Sequence, residues 1–344
     1  MSCASRRQAT QQGRIRLRTL SETLPPPQLP LPHFDIALPP PDLSPWQDGN
    51  CGVPGAYHFE APLPGPHVAI TALMHGNEYT GAYALAHLLT HEVRPERGRL
   101  SLIFLNPEAF ARFDPARPTL SRFIEEDMNR LWMPELMASS HTSFEMERVR
   151  AVAPIIDTVD VLLDLHSMLW PADPLFLSSM TEKSCVLATT LASLQTQTPL
   201  IVQDSGHQDG PRLIDYVRFA SNRTTAKACL LEAGQHWQPE AADLALSVCL
   251  TFLEQMGTIP AGGNRTVSPK KVRQITVTDN VLALTSRFVF VKTFRSGDVI
   301  KKAGTLLAFD GSEEIRTPYD YCLLVMPNLR PMRGHTAVRL ARCT

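Results

Sequence analysis

The chain has 344 residues, of which 44% are hydrophobic and 19% are charged, and its formal net charge is −1 at pH 7. This length is sufficient for one large domain and a smaller one, with a sizeable buried core. A chain this close to neutral gives no electrostatic reason to bind nucleic acid or an anionic membrane, so a small molecule or a peptide is the expected partner.

The seven cysteines predict a reducing compartment. Their number is odd, they are scattered along the chain, and no pair has the CxxC spacing. This pattern argues against a disulfide framework and against a structural zinc cluster. No stretch approaches the roughly 20 apolar residues that a membrane-spanning helix needs. We therefore expect a cytoplasmic protein, and the sequence leaves open whether it forms a homo-oligomer.

Residues 1–60 form a proline-rich N-terminal segment whose role the sequence does not indicate. The segment begins with basic residues, and no apolar stretch follows them, so a secretory signal is not expected. A disordered start is the simpler interpretation, and a transit peptide is the alternative. Thirteen of the 29 prolines lie between Pro25 and Pro66. Such a stretch is predicted to follow the surface in an extended conformation or to lead into a first strand.

Residues 61–262 are predicted to form an α/β catalytic domain. Short apolar, β-branched runs predict strands, and segments of helical character alternate with them, around residues 83–89, 143–156 and 240–256. This alternation implies a mainly parallel or mixed sheet with helices on both faces. The predicted strands are residues 67–73, 100–105, 159–165, 199–203 and 227–231.

Residues 263–344 are predicted to form a small all-β domain. Glycines and turn pairs recur there at short intervals, for example at Ser296-Gly297 and at Asp310-Gly311, and short strand-like runs lie between them. The sequence pattern of this region contains no helical segment, which is typical of a small barrel or sandwich.

Polar side chains follow four of the predicted strands of the α/β domain. In an open α/β sheet, ligands bind just beyond the carboxyl ends of the strands. We therefore expect these side chains to converge on one site. The set is His75, Glu78, Asn106, Asp164, His166 and Glu232.

His75, Glu78 and His166 have the residue types of a catalytic zinc site. Two histidines and one glutamate, with a fourth position left for water, are typical of zinc enzymes. The HxxE spacing alone is a weak signal, since a surface histidine near a helix N-terminus explains it too, and Glu78 there suits the helix dipole. The second strand-end histidine favours the metal.

Two acidic residues and two arginines have open interpretations from spacing alone. Asp164 either orients His166 as a metal ligand or caps the following loop. Glu232 is placed to accept a proton from water, and a structural acid at a turn is the simpler alternative. Arg122 and Arg130 suit carboxylate recognition, yet from spacing alone surface ion pairs with the intervening acids are the favoured interpretation.

Five motifs occur in the order and approximate spacing of one family. They are His75-Gly76-Asn77-Glu78, Asn106-Pro107, Asp127-Met128-Asn129-Arg130, Asp164-Leu165-His166-Ser167 and Glu232-Ala233-Gly234. From about residue 66 to its C-terminus, the chain resembles the succinylglutamate desuccinylase/aspartoacylase family, a branch of the zinc carboxypeptidase fold. The resemblance implies one zinc ion per chain, held by His75, Glu78 and His166, with Glu232 as the general base that activates the water.

The resemblance also implies roles for the polar residues around the metal. Asn129 and Arg130 match the pair that grips the carboxylate of the substrate's amino-acid half, and Arg122 matches the arginine that polarises the scissile carbonyl and stabilises the oxyanion. A further carboxylate-binding arginine precedes the catalytic glutamate in the family. Arg218 and Arg223 lie near that place, and the alignment supports neither firmly.

A zinc-dependent hydrolase that cleaves the amide bond of a small N-acyl amino acid is the function that the resemblance implies. The alternatives are a zinc carboxypeptidase that acts on peptides and a ligand-binding homologue without catalysis. The C-terminal domain resembles the family's biotinyl/lipoyl-carrier-like sandwich, which in relatives narrows the active-site mouth. The acyl group and the amine half stay open.

Overall fold

The computed structural model describes residues 34–197, 199–207, 209–262 and 268–343. The predicted disordered start, at residues 1–33, lies outside the described residues. The rest of the proline-rich segment begins with irregular chain that contains a 3-10 helix at Ser44–Trp46. It then leads into the first strand, as the proline pattern predicts.

Fourteen strands in the described part of the chain form two sheets. They are β1 (Ala56–Glu60), β2 (Leu63–Ala72), β3 (Arg97–Phe104), β4 (Val161–Met168), β5 (Leu175–Ser178), β6 (Leu200–Gln203), β7 (Lys227–Gln235), β8 (Gln274–Leu282), β9 (Phe288–Phe290), β10 (Val299–Ile300), β11 (Leu306–Asp310), β12 (Glu313–Arg316), β13 (Cys322–Val325) and β14 (Thr336–Cys343). The large sheet has the order β1-β3-β2-β4-β7-β5-β6-β8-β14-β13-β10, and the small one has the order β12-β11-β9.

The centre of the large sheet is parallel. β3, β2, β4 and β7 run side by side in the same direction, whereas β1 and β5 pair with them antiparallel. Each of the five predicted strands overlaps an observed one, and the expected α/β fold class with a mixed sheet is confirmed. The bounds of β1 and the short strand β5 were not predicted.

Seven α-helices accompany the sheet among the described residues. Ser143 caps the fourth, since its Oγ accepts from the backbone N–H of Met146, which fixes the predicted helix start. No helix in the described ranges has the length and apolar character needed to cross a membrane. The helices are α1 (Thr80–Thr90), α2 (Pro107–Phe110), α3 (Pro134–Met137), α4 (Phe144–Ile156), α5 (Glu182–Ser193), α6 (Val217–Ala220) and α7 (Pro239–Gln255).

The helices cover both faces of the sheet because its central strands are apolar on both sides. In β2, Val68 and Ile70 belong to one buried cluster, together with side chains of α1, α5 and α7. Ala69 points to the opposite cluster, which contains side chains of α4. This alternation is the period of two that a strand imposes. Parallel strands buried on both faces are therefore the scaffold on which the site residues are placed.

The C-terminal strands continue the large sheet. β8 pairs parallel with β6, where Ile201 lies opposite Gln274, and β14 pairs antiparallel with β8. The small sheet packs against these C-terminal strands around a separate apolar cluster, which includes Phe288 and Leu307. The expected all-β region is confirmed, and the exact division of the chain into domains at residues 60 and 262 stays a prediction.

His67, at the start of the parallel part of β2, provides a test of the fold that does not depend on the functional site. It is buried between Ser101 and Thr158, with its two ring nitrogens 2.9 Å from their hydroxyls. Burial, with the nearby charge of Arg99, lowers its pKa from 6.5 to about 4. The unfolded chain therefore binds a proton first as the pH falls, and the native state loses stability between these values.

We expect His67→Gln to remove this pH dependence, which amounts to about 1 to 3 kcal/mol. Urea unfolding at pH 7 and at pH 5 measures it, and the same change at the exposed His91 is the control. If wild type and His67→Gln lost the same stability between the two pH values, the buried neutral imidazole would be disproved.

Candidate metal centre

The turn after β2 presents His75 and Glu78 to the carboxyl edge of the sheet. Leu73 leaves the strand with a φ of 58°, a conformation that side chains with a Cβ rarely adopt. At Gly76, a Cβ would lie 2.4 Å from backbone atoms of Ala109 and Phe110. Only glycine permits this close approach, so the local sequence and the packing together determine the turn.

Both oxygens of the Glu78 carboxylate face histidines. Oε1 lies 2.8 Å from Nδ1 of His75, and Oε2 lies 2.9 Å from Nδ1 of His166, which β4 supplies. All three residues are at least 96% buried, and one candidate ligand atom from each lies within 4.8 Å of the other two. The structure thus brings together the three residues predicted to hold the metal.

The second nitrogen of each histidine contacts another carboxylate. Nε2 of His75 lies 2.9 Å from Asp127 Oδ1, and Nε2 of His166 lies 2.9 Å from Asp164 Oδ2. Asp164 is held in turn by the hydroxyl of Thr71, which donates to Oδ1 at 2.7 Å. Carboxylates in this position fix the orientation of histidine ligands. The predicted contact of Asp164 is present, whereas the contact of Asp127 was not predicted, although Asp127 opens one of the five motifs.

The charges of this network depend on one another. Burial alone would raise the pKa of Glu78, but the two histidines lower it well below its ordinary value. Burial would lower the pKa of His166, but the carboxylates of Asp164 and Glu78 raise it well above its ordinary value. A histidine binds a metal only in its neutral form, so protonation of His166 and cation binding oppose each other.

Glu232 lies beside His166, on the neighbouring strand. The two residues are register partners of β4 and β7, so their side chains leave the sheet on the same face. Glu232 is buried, and its Oε2 has no hydrogen-bond partner among the described residues. Burial, with the negative charge of Glu78, raises its pKa to about 8. An acid held in this way readily takes up a proton near neutral pH.

Arg122 reaches the carboxylate of Glu78 from a long loop. Its Nη1 donates to Glu78 Oε1 at 2.9 Å, and its Nη2 lies 3.3 Å from Asp127 Oδ2. The loop is held by Glu145 of α4, which accepts hydrogen bonds from the backbone N–H groups of residues 124–126 at 2.6, 3.1 and 3.2 Å. Arg122 is therefore part of the site rather than a surface ion pair.

Asn129 and Arg130 follow on this loop. Asn129 is buried, and its Oδ1 accepts from the backbone N–H of Leu213 at 2.9 Å. Arg130 is half-buried, with Nη2 3.2 Å from Nε2 of His207 and 3.8 Å from Asp127 Oδ2. Arg130 therefore lies near Asp127, and the amide oxygen of Asn129 holds the loop, while the binding of a substrate carboxylate by these two residues stays a prediction.

Neither candidate for a further carboxylate-binding arginine points to the site. Arg218 donates to the backbone carbonyl of Val159 and to Asp160, at the opposite end of β4. Arg223 is exposed on a turn. The structure instead brings Arg339 of β14 next to His207, a contact for which the sequence contains no local signal.

The donor set fits a zinc ion by its chemistry. Two imidazole nitrogens and one carboxylate oxygen are zinc ligands, and the carboxylate partner on each outer nitrogen is the arrangement that supports them. The unpartnered oxygen of Glu232 lies beside this group and is suited to a polar ligand such as water. The arrangement is chemically capable of metal-assisted hydrolysis.

The fold and this site define an α/β protein with a two-histidine, one-glutamate candidate metal centre. A family model of the succinylglutamate desuccinylase/aspartoacylase catalytic domain matches residues 64–254. The chain belongs to this family, which confirms the resemblance seen in its motifs. It is also 33% identical over 108 residues to a probable aspartoacylase from Nostoc sp. (strain PCC 7120 / SAG 25.82 / UTEX 2576). That match spans only 34% of the relative and 29% of this chain.

Several solved structures have a fold similar to that of this chain. A succinylglutamate desuccinylase from Vibrio cholerae is 17% identical, with a TM-score of 0.66 over 84% of this chain and 86% of that one. A succinylglutamate desuccinylase from Vibrio parahaemolyticus is 16% identical, with a TM-score of 0.65 over the same shares. A succinylglutamate desuccinylase/aspartoacylase from Rhodobacter sphaeroides is 18% identical, with a TM-score of 0.60 over 84% of this chain and 88% of that one. At these identities the likeness establishes the fold.

The carboxylate behind His166 provides a test of the metal site. We expect His166→Ala to abolish tight zinc binding, and Asp164→Asn to weaken it about 10- to 100-fold, because the histidine loses the partner that orients it. Competition with a chromophoric chelator measures both affinities. Asp243→Asn, an exposed change of the same kind in α7, is the control. Wild-type affinity in Asp164→Asn would contradict the supporting role.

Proposed function

We propose that this chain is a zinc-dependent deacylase that hydrolyses the amide bond of a small N-acyl amino acid to a carboxylate and a free amine. The observation that carries the proposal is the position of Glu232. Its unpartnered, buried oxygen lies beside the group His75, Glu78 and His166, which is capable of binding a metal. A site with a metal position and a free general base is suited to hydrolysis by water.

His75, Glu78 and His166 would hold the zinc ion, one per chain. A bound zinc ion supplies Lewis acidity, which lowers the pKa of water and polarises a carbonyl. Glu232 takes a proton from the attacking water and returns it to the leaving nitrogen as the carbon–nitrogen bond breaks. Its buried position, as the register partner of His166 on the neighbouring strand, places it to make both proton transfers.

The guanidinium groups serve the charged parts of the reaction. Arg122 is half-exposed and lies 2.9 Å from Glu78, so its donors face the position where a substrate carbonyl would develop negative charge. Arg130, with Asn129 beside it, binds the carboxylate of the amino-acid half. The orientation of both arginines depends on Asp127, which lies 3.3 and 3.8 Å from them.

The proposal includes the compartment and the class of bond. The six cysteines that the structure describes are all free, which suits the cytoplasm. A family whose members are named for desuccinylase and aspartoacylase activity suggests an N-acyl amino acid rather than a peptide as the substrate. Turnover of N-acetyl, N-succinyl or N-formyl amino acids, but not of peptides with a free C-terminus, would separate a deacylase from a carboxypeptidase.

The role of Glu232 is tested by its amide. We expect Glu232→Gln to lower kcat by about 10²- to 10⁴-fold, because the water loses its proton acceptor. Zinc content, measured by metal analysis of the purified protein, should stay at one per chain. Glu240→Gln, an exposed change at the start of α7, should keep full activity. A variant at Glu232 that hydrolysed as fast as wild type would overturn the mechanism.

A protein that bound these compounds and zinc without hydrolysing any of them would instead be a ligand-binding homologue. Equilibrium dialysis with the same panel, run beside the activity assay, detects that case directly.

A further inference from the structure

Two arginines from distant parts of the chain meet on one histidine nitrogen. Nε2 of His207 lies 3.2 Å from Nη2 of Arg130 and 2.6 Å from Nη2 of Arg339. Burial and the positive charges of these arginines lower the pKa of His207 far below its ordinary value, so its ring is neutral. A neutral imidazole has a single acceptor lone pair, which cannot satisfy two cationic donors fully.

A third arginine in this region, Arg212, is committed to two neighbouring acids. It donates four hydrogen bonds, at 2.6 to 3.3 Å, to the carboxylates of Asp204 and Asp215 and to the Asp204 carbonyl. Both acids are therefore largely used by Arg212. These bonds tie together Asp204 and Asp215, which lie on either side of His207 in the sequence.

Arg130 and Arg339 have spare donors by comparison. Arg339 is 94% buried, and its Nε lies 3.0 Å from Asp204 Oδ2, yet that N–H forms no hydrogen bond within the described ranges. Nη1 of Arg130 donates to the backbone carbonyl of Asn129 at 2.7 Å, but its Nη2 is 3.8 Å from Asp127, which is beyond hydrogen-bond distance. Burial, together with the charges of Arg122 and Arg339, lowers the pKa of Arg130 to about 10. Buried cationic donors without full acceptors are costly, and an anion between them would remove that cost.

The pair lies at the catalytic site. Arg339 is connected to Arg130 through His207, because Nη2 of each arginine contacts the same ring nitrogen. Arg130 is on the same loop as Asp127, whose carboxylate contacts His75. An anionic group held between the two arginines would therefore be next to the reacting bond.

We propose that Arg130 and Arg339 form a two-arginine clamp for one carboxylate of the substrate. A carboxylate has about four lone pairs and accepts from two guanidinium groups at once, where the single lone pair of His207 does not. This inference rests on the proposed deacylase function and deepens it. The last strand of the protein supplies the second carboxylate-binding arginine, in place of Arg218 or Arg223.

The clamp is tested by comparing a substrate with and without the charge. We select the N-acetyl or N-succinyl amino acid that wild type hydrolyses fastest and compare it with its carboxamide, in which the amino-acid carboxylate is an amide. In Arg339→Gln, the ratio of kcat/KM for the acid over the amide should fall about 10- to 100-fold, mainly through KM. Arg342→Gln, an exposed change on the same strand, should leave the ratio unchanged.

A purely structural role of Arg339 would give a different result, namely equal losses on both compounds. Equal losses leave the ratio of kcat/KM for the acid over the amide unchanged. An unchanged ratio overturns the clamp and leaves the deacylase function standing. Arg339→Lys retains the charge but not the planar fork, so we expect an intermediate ratio. Thermal unfolding of each variant shows whether the fold is intact, and the ratio, measured on folded protein, decides the case.

Failure of the proposed function gives a distinguishable outcome. If wild type hydrolyses no member of the panel, the deacylase proposal fails, and the clamp is judged by calorimetric titration with the same acids. The clamp is supported if wild type and Arg342→Gln bind the acid with equal affinity and Arg339→Gln binds it about 10-fold or more weakly. Equal binding by all three proteins, or no binding by any, contradicts it.

Discussion

The carboxylate of Glu78 is the interaction on which the candidate site depends. It joins the turn after β2 to the end of β4 through His75 and His166, and it reaches the long loop through Arg122. The backbone N–H of Ser167 also donates to it. A buried carboxylate is stable only when such partners surround it, so the groups that would bind a cation are also the groups that hold three segments together.

The central parallel strands explain why much of this site was predictable from the sequence. A period of two places Asp164 and His166 on one face of β4, and the register sets Glu232 beside His166 and Thr71 beside Asp164. Because the strands are parallel, their carboxyl ends share one edge of the sheet. Residues that follow short apolar runs therefore converge, and locating the runs was enough to predict the convergence.

The remaining parts depend on long-range packing that local patterns do not encode. Residue 127 lies on a loop whose path is set by Glu145, and Arg339 approaches through the pairing of β14 with β8. The helix α5, with Ser, Thr and Ala at many positions, was not among the predicted helices. It forms because Leu187 and Leu191 are buried against the sheet. For the same reason proximity in sequence was misleading for Arg218, which the chain directs to the opposite end of β4.

The continuity of the large sheet has a consequence for specificity. The strands that carry His166 and Glu232 are connected to β14 by an unbroken series of paired strands, β7-β5-β6-β8-β14. Backbone hydrogen bonds thus fix Arg339 relative to the reacting groups more firmly than a separate, hinged domain would. In the proposed function, the parallel strands carry the hydrolytic residues, and the final strand carries one arginine of the carboxylate clamp. If this clamp operates, substitutions on β14 change the preferred carboxylate without altering His75, Glu78 or His166, which is a physical route to new substrates within one fold.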